Sequence, residues 1–329
     1  MEHDIKIKIV GVGGFGLNAV ADMHEAVIGP DYLLLSNKPD DIAKIHFGEK
    51  ILLGNGVTTN HSQELGKKRV ESSAEEIKKS LTGYDIVIIV SGLGYGTGTG
   101  GSPVVASIAR ELGAFTIAVC TTPFLYEGSN RDTIAKAGIF KLKAICDALL
   151  VVAKQKLVKG IRKPEEDMTE KLKSVSDLIR YVVTCINDTV TLSSGDGLTG
   201  LDGLKAVLRN GNDAFFGCGA VMNEDALIEA VRHATNTPLM TATLNNASRV
   251  LLTVSYSREL TKNELNNVYD EIRNITGNNT EIIYTNILNE ECFGIMFVSI
   301  FASGEDLKEE KVASSFDKLR DAINPNNLI

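Results

Sequence analysis

The chain has little of what marks the simplest functional classes. Its five cysteines, Cys120, Cys146, Cys185, Cys218 and Cys292, stand singly across 329 residues, with neither the paired spacing of a metal site nor the density of a disulfide framework. Reduced and mostly buried thiols are expected. Basic residues are outnumbered, 34 Lys and Arg against 42 Asp and Glu, for a formal net charge of −8; this argues against a general surface for nucleic acid or anionic membrane. No apolar run approaches the length of a membrane span, and the acidic start Met1-Glu2-His3-Asp4 leads straight into a strand rather than a secretory signal. A cytoplasmic protein is expected. Composition is otherwise that of an ordinary globular chain, 43% hydrophobic and 23% charged, long enough for one large or two medium domains.

What the chain does have is glycine in two particular places. The stretch Ser91-Gly92-Leu93-Gly94-Tyr95-Gly96-Thr97-Gly98-Thr99-Gly100-Gly101-Ser102-Pro103 follows the apolar run Asp85 to Val90, which reads as a buried strand, and precedes a helical pattern from Val104 to Leu112. Glycines let a backbone come close to a ligand, and the helix that follows offers free N–H groups. Such a turn binds anions. Polyphosphate fits its length, with the hydroxyls of Thr97 and Thr99 able to join the amides. The stretch holds no lysine, so it is not the Gly-x-x-x-x-Gly-Lys phosphate loop.

The second place is Gly11-Val12-Gly13-Gly14-Phe15-Gly16-Leu17-Asn18, between the strand Ile5 to Val10 and a helix from Ala19 to Ala26. Gly11, Gly13 and Gly16 satisfy the dinucleotide fingerprint Gly-x-Gly-x-x-Gly, which makes an NAD(P)-dependent oxidoreductase a rival reading. That reading lacks its acid: the second strand, Tyr32 to Asn37, ends in Ser and Asn where a ribose-binding Asp or Glu belongs, and Asp40 lies beyond a proline. Two glycine turns on different strands point instead to a mononucleotide held between them.

The rest alternates strand and helix. Strands are expected at Lys50 to Leu53, Phe115 to Thr121 and Ala148 to Ala153, and helices at Ser62 to Leu81 and Asn130 to Cys146, giving an α/β fold with a mostly parallel, Rossmann-like sheet covered on both faces. Residues 1–165 form this first domain, and 166–192 a long helix joining it to a smaller α/β domain at 193–329. In that second domain helices are expected near Asp202 to Arg209, Glu224 to Thr235 and Lys262 to Ile275. A glycine-rich turn follows the first of these, strands are expected at Arg249 to Tyr256, Glu281 to Leu288 and Cys292 to Ala302, and a final helix at Asp306 to Ile323.

Three motifs, in this order and context, resemble the bacterial and archaeal cell-division protein FtsZ and its tubulin relatives, over about Lys6 to Ser303. Gly92 to Gly100 is similar to the family's glycine-rich signature loop, with Tyr95 where a glycine is usual. Gly11 to Val20 resembles its first nucleotide loop, with bulkier residues at Phe15 and Leu17, and Thr122 to Arg131 looks like the loop whose Glu and Arg contact the nucleotide. The resemblance implies a GTP-binding first domain, with GTP or GDP bound together with Mg²⁺, and head-to-tail self-assembly into filaments. Residue by residue, it implies that Gly94, Tyr95, Gly96, Thr97, Gly98 and Thr99, with Gly100, hold the β and γ phosphates and that Gly13 and Gly14 lie on the α-phosphate side. Glu127 and Arg131 take the ribose and phosphates. Asn18, and Ser176 or Asp177 on the central helix, reach the guanine.

The chain departs from the family after that helix. There the family carries Asn-x-Asp-x-x-Asp, whose carboxylates act on the neighbouring subunit's nucleotide; here the stretch is Gly197-Leu198-Thr199-Gly200-Leu201-Asp202. Only Asp202, or Asp196 after a register shift, supplies an acid, so slow or altered GTP hydrolysis is expected, with an N-cap the structural alternative for Asp202. The sequence stops soon after the last predicted helix, so tethering through a long carboxy-terminal linker and peptide is not expected, and an adaptor is unidentified. A non-polymerising GTP-binding regulator of the same fold is the competing class.

Overall fold

The strands expected from apolar runs form, and their alternation decides which helices they hold. The computed structural model describes residues 4–56, 62–156, 168–194, 199–209, 212–222, 226–237, 239–289 and 294–304. Six parallel strands make the first half: β1 (Ile7–Val12), β2 (Asp31–Ser36), β3 (Glu49–Leu52), β4 (Ile86–Gly92), β5 (Phe115–Thr122) and β6 (Ala148–Ala153). Side chains alternate between the two faces of a strand. Ile9, Leu34, Ile88, Val90 and Val119 therefore join one apolar core, while Val10, Leu33, Leu35, Val87, Ile89 and Ala118 join another.

The first core is closed by α1 (Gly13–Met23), through Leu17, Val20 and Met23, and by the long helix α7 (Met168–Leu192), through Ile179, Val182 and Ile186. The second is closed by α3 (Gln63–Ser72), α4 (Ala74–Leu81), α5 (Gly96–Glu111) and α6 (Ser129–Ile145), through Val70, Ile77, Val105 and Leu142. A short helix α2 (Pro39–Ala43) follows β2. The single helix expected over Ser62 to Leu81 is two helices, broken at Ser73, which ends α3 and stands as N-cap of α4.

The second half is built on α8 (Gly200–Leu208), α9 (Leu227–Thr235) and α10 (Lys262–Thr276), with β7 (Asn212–Val221), β8 (Arg249–Tyr256), β9 (Glu281–Leu288) and β10 (Met296–Ser303). The glycine-rich turn expected after α8 is in fact the strand β7. Gly217 and Gly219 belong to a strand on which α9 packs closely: a Cβ on Gly217 would lie 1.7 Å from the Ala234 carbonyl oxygen. Because β7 pairs with both β6 and β10, the sheet runs continuously through ten strands in the order β3-β2-β1-β4-β5-β6-β7-β10-β8-β9. The expected final helix, Asp306 to Ile323, lies outside the described residues.

α7 spans the first domain from one edge of its sheet to the other. Its later half reaches the edge where strands begin: Asn187 donates a hydrogen bond (3.3 Å) to the carbonyl of Ile28, just before β2. The chain then ties to the second domain, with the Ser194 and Asn286 backbones exchanging hydrogen bonds of 2.8 and 3.2 Å. Among the described residues no helix is long and apolar enough to cross a membrane. The four described cysteines are free; burial pushes the Cys120 thiol up to about 12, which makes it a poor nucleophile.

Candidate functional site

The order β3-β2-β1-β4-β5-β6 reverses direction between β1 and β4. The helix after β1 covers one face and the helix after β4 the other, so a crevice opens at the carboxyl ends of these two neighbouring strands. Both glycine turns lie there.

Each turn is shorter than the sequence suggests, because the helices start inside the glycine stretches: α1 at Gly13 rather than Ala19, α5 at Gly96 rather than Val104. The N-cap residues are Val12 and Tyr95; neither side chain caps its helix, and neither helix has an acid in its first turn. α3 is capped by Ser62 and α10 by a box of Thr261 and Glu264, whereas α2, α4, α6, α8 and α9 lack a side-chain cap but carry an acid in the first turn, so among these helices α1 and α5 alone offer amides with neither cap nor acid. Two adjacent helix starts thus present uncapped amides and two positive dipole ends to one place. The turns touch. Gly13 holds φ +73°, and a Cβ built there would lie 3.3 Å from the Gly98 amide nitrogen. A left-handed residue in such contact suits glycine.

The threonine hydroxyls work within the protein. Thr99, fully buried, accepts a hydrogen bond from the Gly94 amide (2.8 Å) and so closes the turn; Thr97 donates to Oδ1 of the buried Asn37 (2.9 Å) at the end of β2. Asn37 is a positioning residue that sequence reasoning saw only as a missing acid. Of the run Gly94 to Gly100, Tyr95 alone is exposed.

Beside the turns, at the end of β5, lies a charged cluster. Glu127 Oε1 accepts the Phe124 amide (2.9 Å), and Oε2 accepts the Tyr95 hydroxyl (2.7 Å) and Arg131 Nη1 (2.5 Å). The Tyr95 ring stacks on the guanidinium, 4.0 Å from its carbon, and Arg131 also donates to the Tyr95 oxygen. Lys154, just past β6, lies 3.6 Å from Glu127 and 5.0 Å from the centre of the Phe124 ring. Nothing local in the sequence marks Lys154, and only the adjacency of β5 and β6 brings it to the site.

Burial pushes the Glu127 carboxyl up, but the Phe124 amide, Tyr95, Lys154 and Arg131 outweigh it and hold the group below the ordinary value. Burial likewise pulls Lys154 down, opposed by Glu127. A carboxyl depressed in the fold stabilises it above the unfolded value of about 4.3, and that stabilisation is lost as pH falls through the folded value. Glu127→Gln is therefore expected to flatten the acid decline of the melting temperature below about pH 4.3, and to lower it near neutrality. Melts from pH 3 to 7 check this; parallel curves for the two proteins would refute it.

The other residues implicated at the sequence level are placed as follows. Asn18 is exposed in the second turn of α1, not at its cap. Ser176 and Asp177 are partly exposed on α7, which packs against α1, and Asp177 Oδ1 accepts from Arg180 (3.0 Å). Asp202 is exposed in the first turn of α8; the N-cap there is Thr199, so the capping alternative for Asp202 is corrected. Asp196 lies outside the described residues. α8 follows the far end of α7, and Val175 to Leu192 alone spans roughly 26 Å at about 1.5 Å per residue, so Asp202 sits at the opposite end of the domain from the crevice.

The uncapped helix starts and flanking cations fit a nucleoside polyphosphate. Among the described residues no group of three His, Cys, Asp or Glu is placed to hold a metal.

Comparison with known proteins agrees with the geometry. The model of the "Tubulin/FtsZ family, GTPase domain" matches residues 6–162, and that of the "FtsZ family, C-terminal domain" matches 212–306. The chain is 32% identical over 324 residues to the cell division protein FtsZ of Mycoplasmopsis pulmonis (strain UAB CTIP), covering 96% of this chain and 81% of that one. Among solved structures it is similar to an FtsZ dimer from M. jannaschii, with a TM-score of 0.80 and 30% identity, covering 92% of this chain and 89% of that one. CetZ2 from Haloferax volcanii, solved as a GTPgS-bound protofilament, shares the fold with a TM-score of 0.79 at 20% identity, over 98% of this chain and 100% of that one.

Proposed function

Since the chain belongs to the tubulin/FtsZ family, we propose that it binds GTP in the crevice between β1 and β4 and assembles head to tail with copies of itself. The observation that carries the reading is the pair of uncapped helix starts, α1 and α5, meeting at Gly13 and Gly98. The amides of α5 take the terminal phosphates and those of α1 the α phosphate, with Arg131 and Lys154 neutralising charge from the side. Oδ2 of Asp177, which accepts no hydrogen bond among the described residues, suits the adjacent N–H donors of guanine, with Asn18 on the neighbouring helix. Mg²⁺ would neutralise the phosphates and need no protein carboxylate.

The separation of Asp202 from the crevice supports the self-assembly part of this reading. One chain cannot bring its own Asp202 to its own triphosphate, whereas a second copy stacked on the nucleotide edge can. Hydrolysis is then a property of the junction between copies. With Asp202 as the one described acid of that stretch and no Asn ahead of it, turnover is expected to be slow.

Sedimentation and electron microscopy test the reading. With GTP and Mg²⁺ the protein is expected to pellet above a threshold concentration as filaments, and not with NAD in place of GTP. Binding of GTP without pelleting at any concentration would make it a non-polymerising regulator of the same fold.

A further inference from the structure

The residue that departs most from the family's glycine loop is also the one that touches the charged cluster. Tyr95 occupies the N-cap of α5 in extended conformation, φ −118° and ψ 175°, yet caps nothing on that helix. Its side chain leaves the helix start and crosses to Glu127 and Arg131.

The consequence lies in how many acceptor sites Glu127 has left. An ionised carboxylate offers about four lone-pair positions. Three are filled, by the Phe124 amide, the Tyr95 hydroxyl and Arg131 Nη1, and Lys154 stands over the Oε1 side at 3.6 Å. A carboxylate recognises a ribose by accepting from its hydroxyls, and that needs free lone pairs. Arg131, by contrast, spends only Nη1; its Nε and Nη2 carry no hydrogen bond among the described residues. Three remaining N–H groups at the edge of the planar guanidinium are a donor set for an anion.

We propose that Tyr95 is a specificity-determining residue that makes this site indifferent to the ribose hydroxyls of its nucleotide: it engages Glu127 as an internal anchor and turns Arg131 into a phosphate donor. The inference rests on the reading of the crevice as a GTP site and departs in one part from what the family resemblance implies, the assignment of Glu127 to the sugar. The depressed titration of Glu127 is consistent with a carboxylate so engaged.

The experiment compares the affinities of GTP and 2′,3′-dideoxy-GTP, each with Mg²⁺, by displacement of a fluorescent guanine nucleotide. The wild-type protein is expected to hold the two within about threefold. Tyr95→Phe keeps the ring on Arg131 but removes the hydroxyl, so an acceptor position on Glu127 is freed and GTP becomes favoured by about tenfold, the fold-change of one hydrogen bond to a charged acceptor. Tyr95→Gly is expected to do the same, and Glu127→Gln in the wild-type background to leave the ratio within threefold, as befits a group that does not meet the sugar. A wild-type preference for GTP above threefold, or a Tyr95→Phe ratio equal to wild type, overturns the role of Tyr95 while leaving the GTP site standing. Failure of the wild-type protein to bind either nucleotide overturns both.

Discussion

Gly98→Ala is expected to lower GTP affinity at least about 100-fold, equivalent to about 2.7 kcal/mol, while destabilising the fold by only about 1–3 kcal/mol. The Cβ it adds would lie 2.3 Å from the Gly92 carbonyl oxygen, far inside contact distance. That oxygen belongs to the end of β4, so no rotamer change relieves the clash and the first turn of α5 must move off the strand. Two things move with it: the amides that would take the terminal phosphates, and the contact with Gly13 that sets α1 beside α5. Losing two hydrogen bonds to a charged ligand costs about 3–6 kcal/mol, so affinity falls further than stability. Calorimetric titration beside a thermal melt measures both; a folded variant binding GTP within about threefold of wild type would mean that the triphosphate is not held at this turn.

Asp202→Ala is expected to lower GTP turnover at least about 100-fold without weakening GTP binding, since loss of a water-positioning group commonly costs that much in an in-line attack. Asp202 and the crevice lie at opposite ends of α7, so turnover per subunit should climb steeply with protein concentration rather than stay constant. Mixing sharpens the test. Gly98→Ala brings an intact Asp202 but no bound nucleotide, Asp202→Ala the reverse, and the junction formed between them is complete. Each alone should be nearly inactive, and the mixture should recover a measurable part of wild-type turnover. A turnover per subunit independent of concentration, or a mixture as inactive as its components, would place the attacking water's partner within one chain and remove Asp202 from the mechanism.

Much of this site was legible in the chain because it is made of local pattern. An apolar run, a cluster of glycines and a helical period specify strand, turn and helix without reference to distant residues, and they located both glycine turns. Helix starts were misjudged, at Gly13 and Gly96, because glycine is a poor helix former in isolation and only packing against β4 and its neighbours holds those turns helical. The same bias hid β7, where Gly217 and Gly219 read as a turn but serve close packing of α9. The partners Asn37 and Lys154 were beyond reach for a different reason: each is an ordinary polar residue at a strand end, given meaning by which strand lies next to it.

The sequence by itself determined that a mostly parallel α/β sheet forms, that two glycine turns follow two of its strands with no lysine in either, and that Asp202 and Asp196 are the acids of the stretch after the long helix. Tertiary structure alone decided that the two glycine turns touch, that Tyr95 engages Glu127 and Arg131, and that Asp202 lies beyond the far end of α7 from the crevice. The division is physical. Periodicity and turn chemistry act over a few residues and are written in the local order of side chains, whereas the pairing of strand edges and the span of a long helix are set by burial of apolar surface across the whole chain.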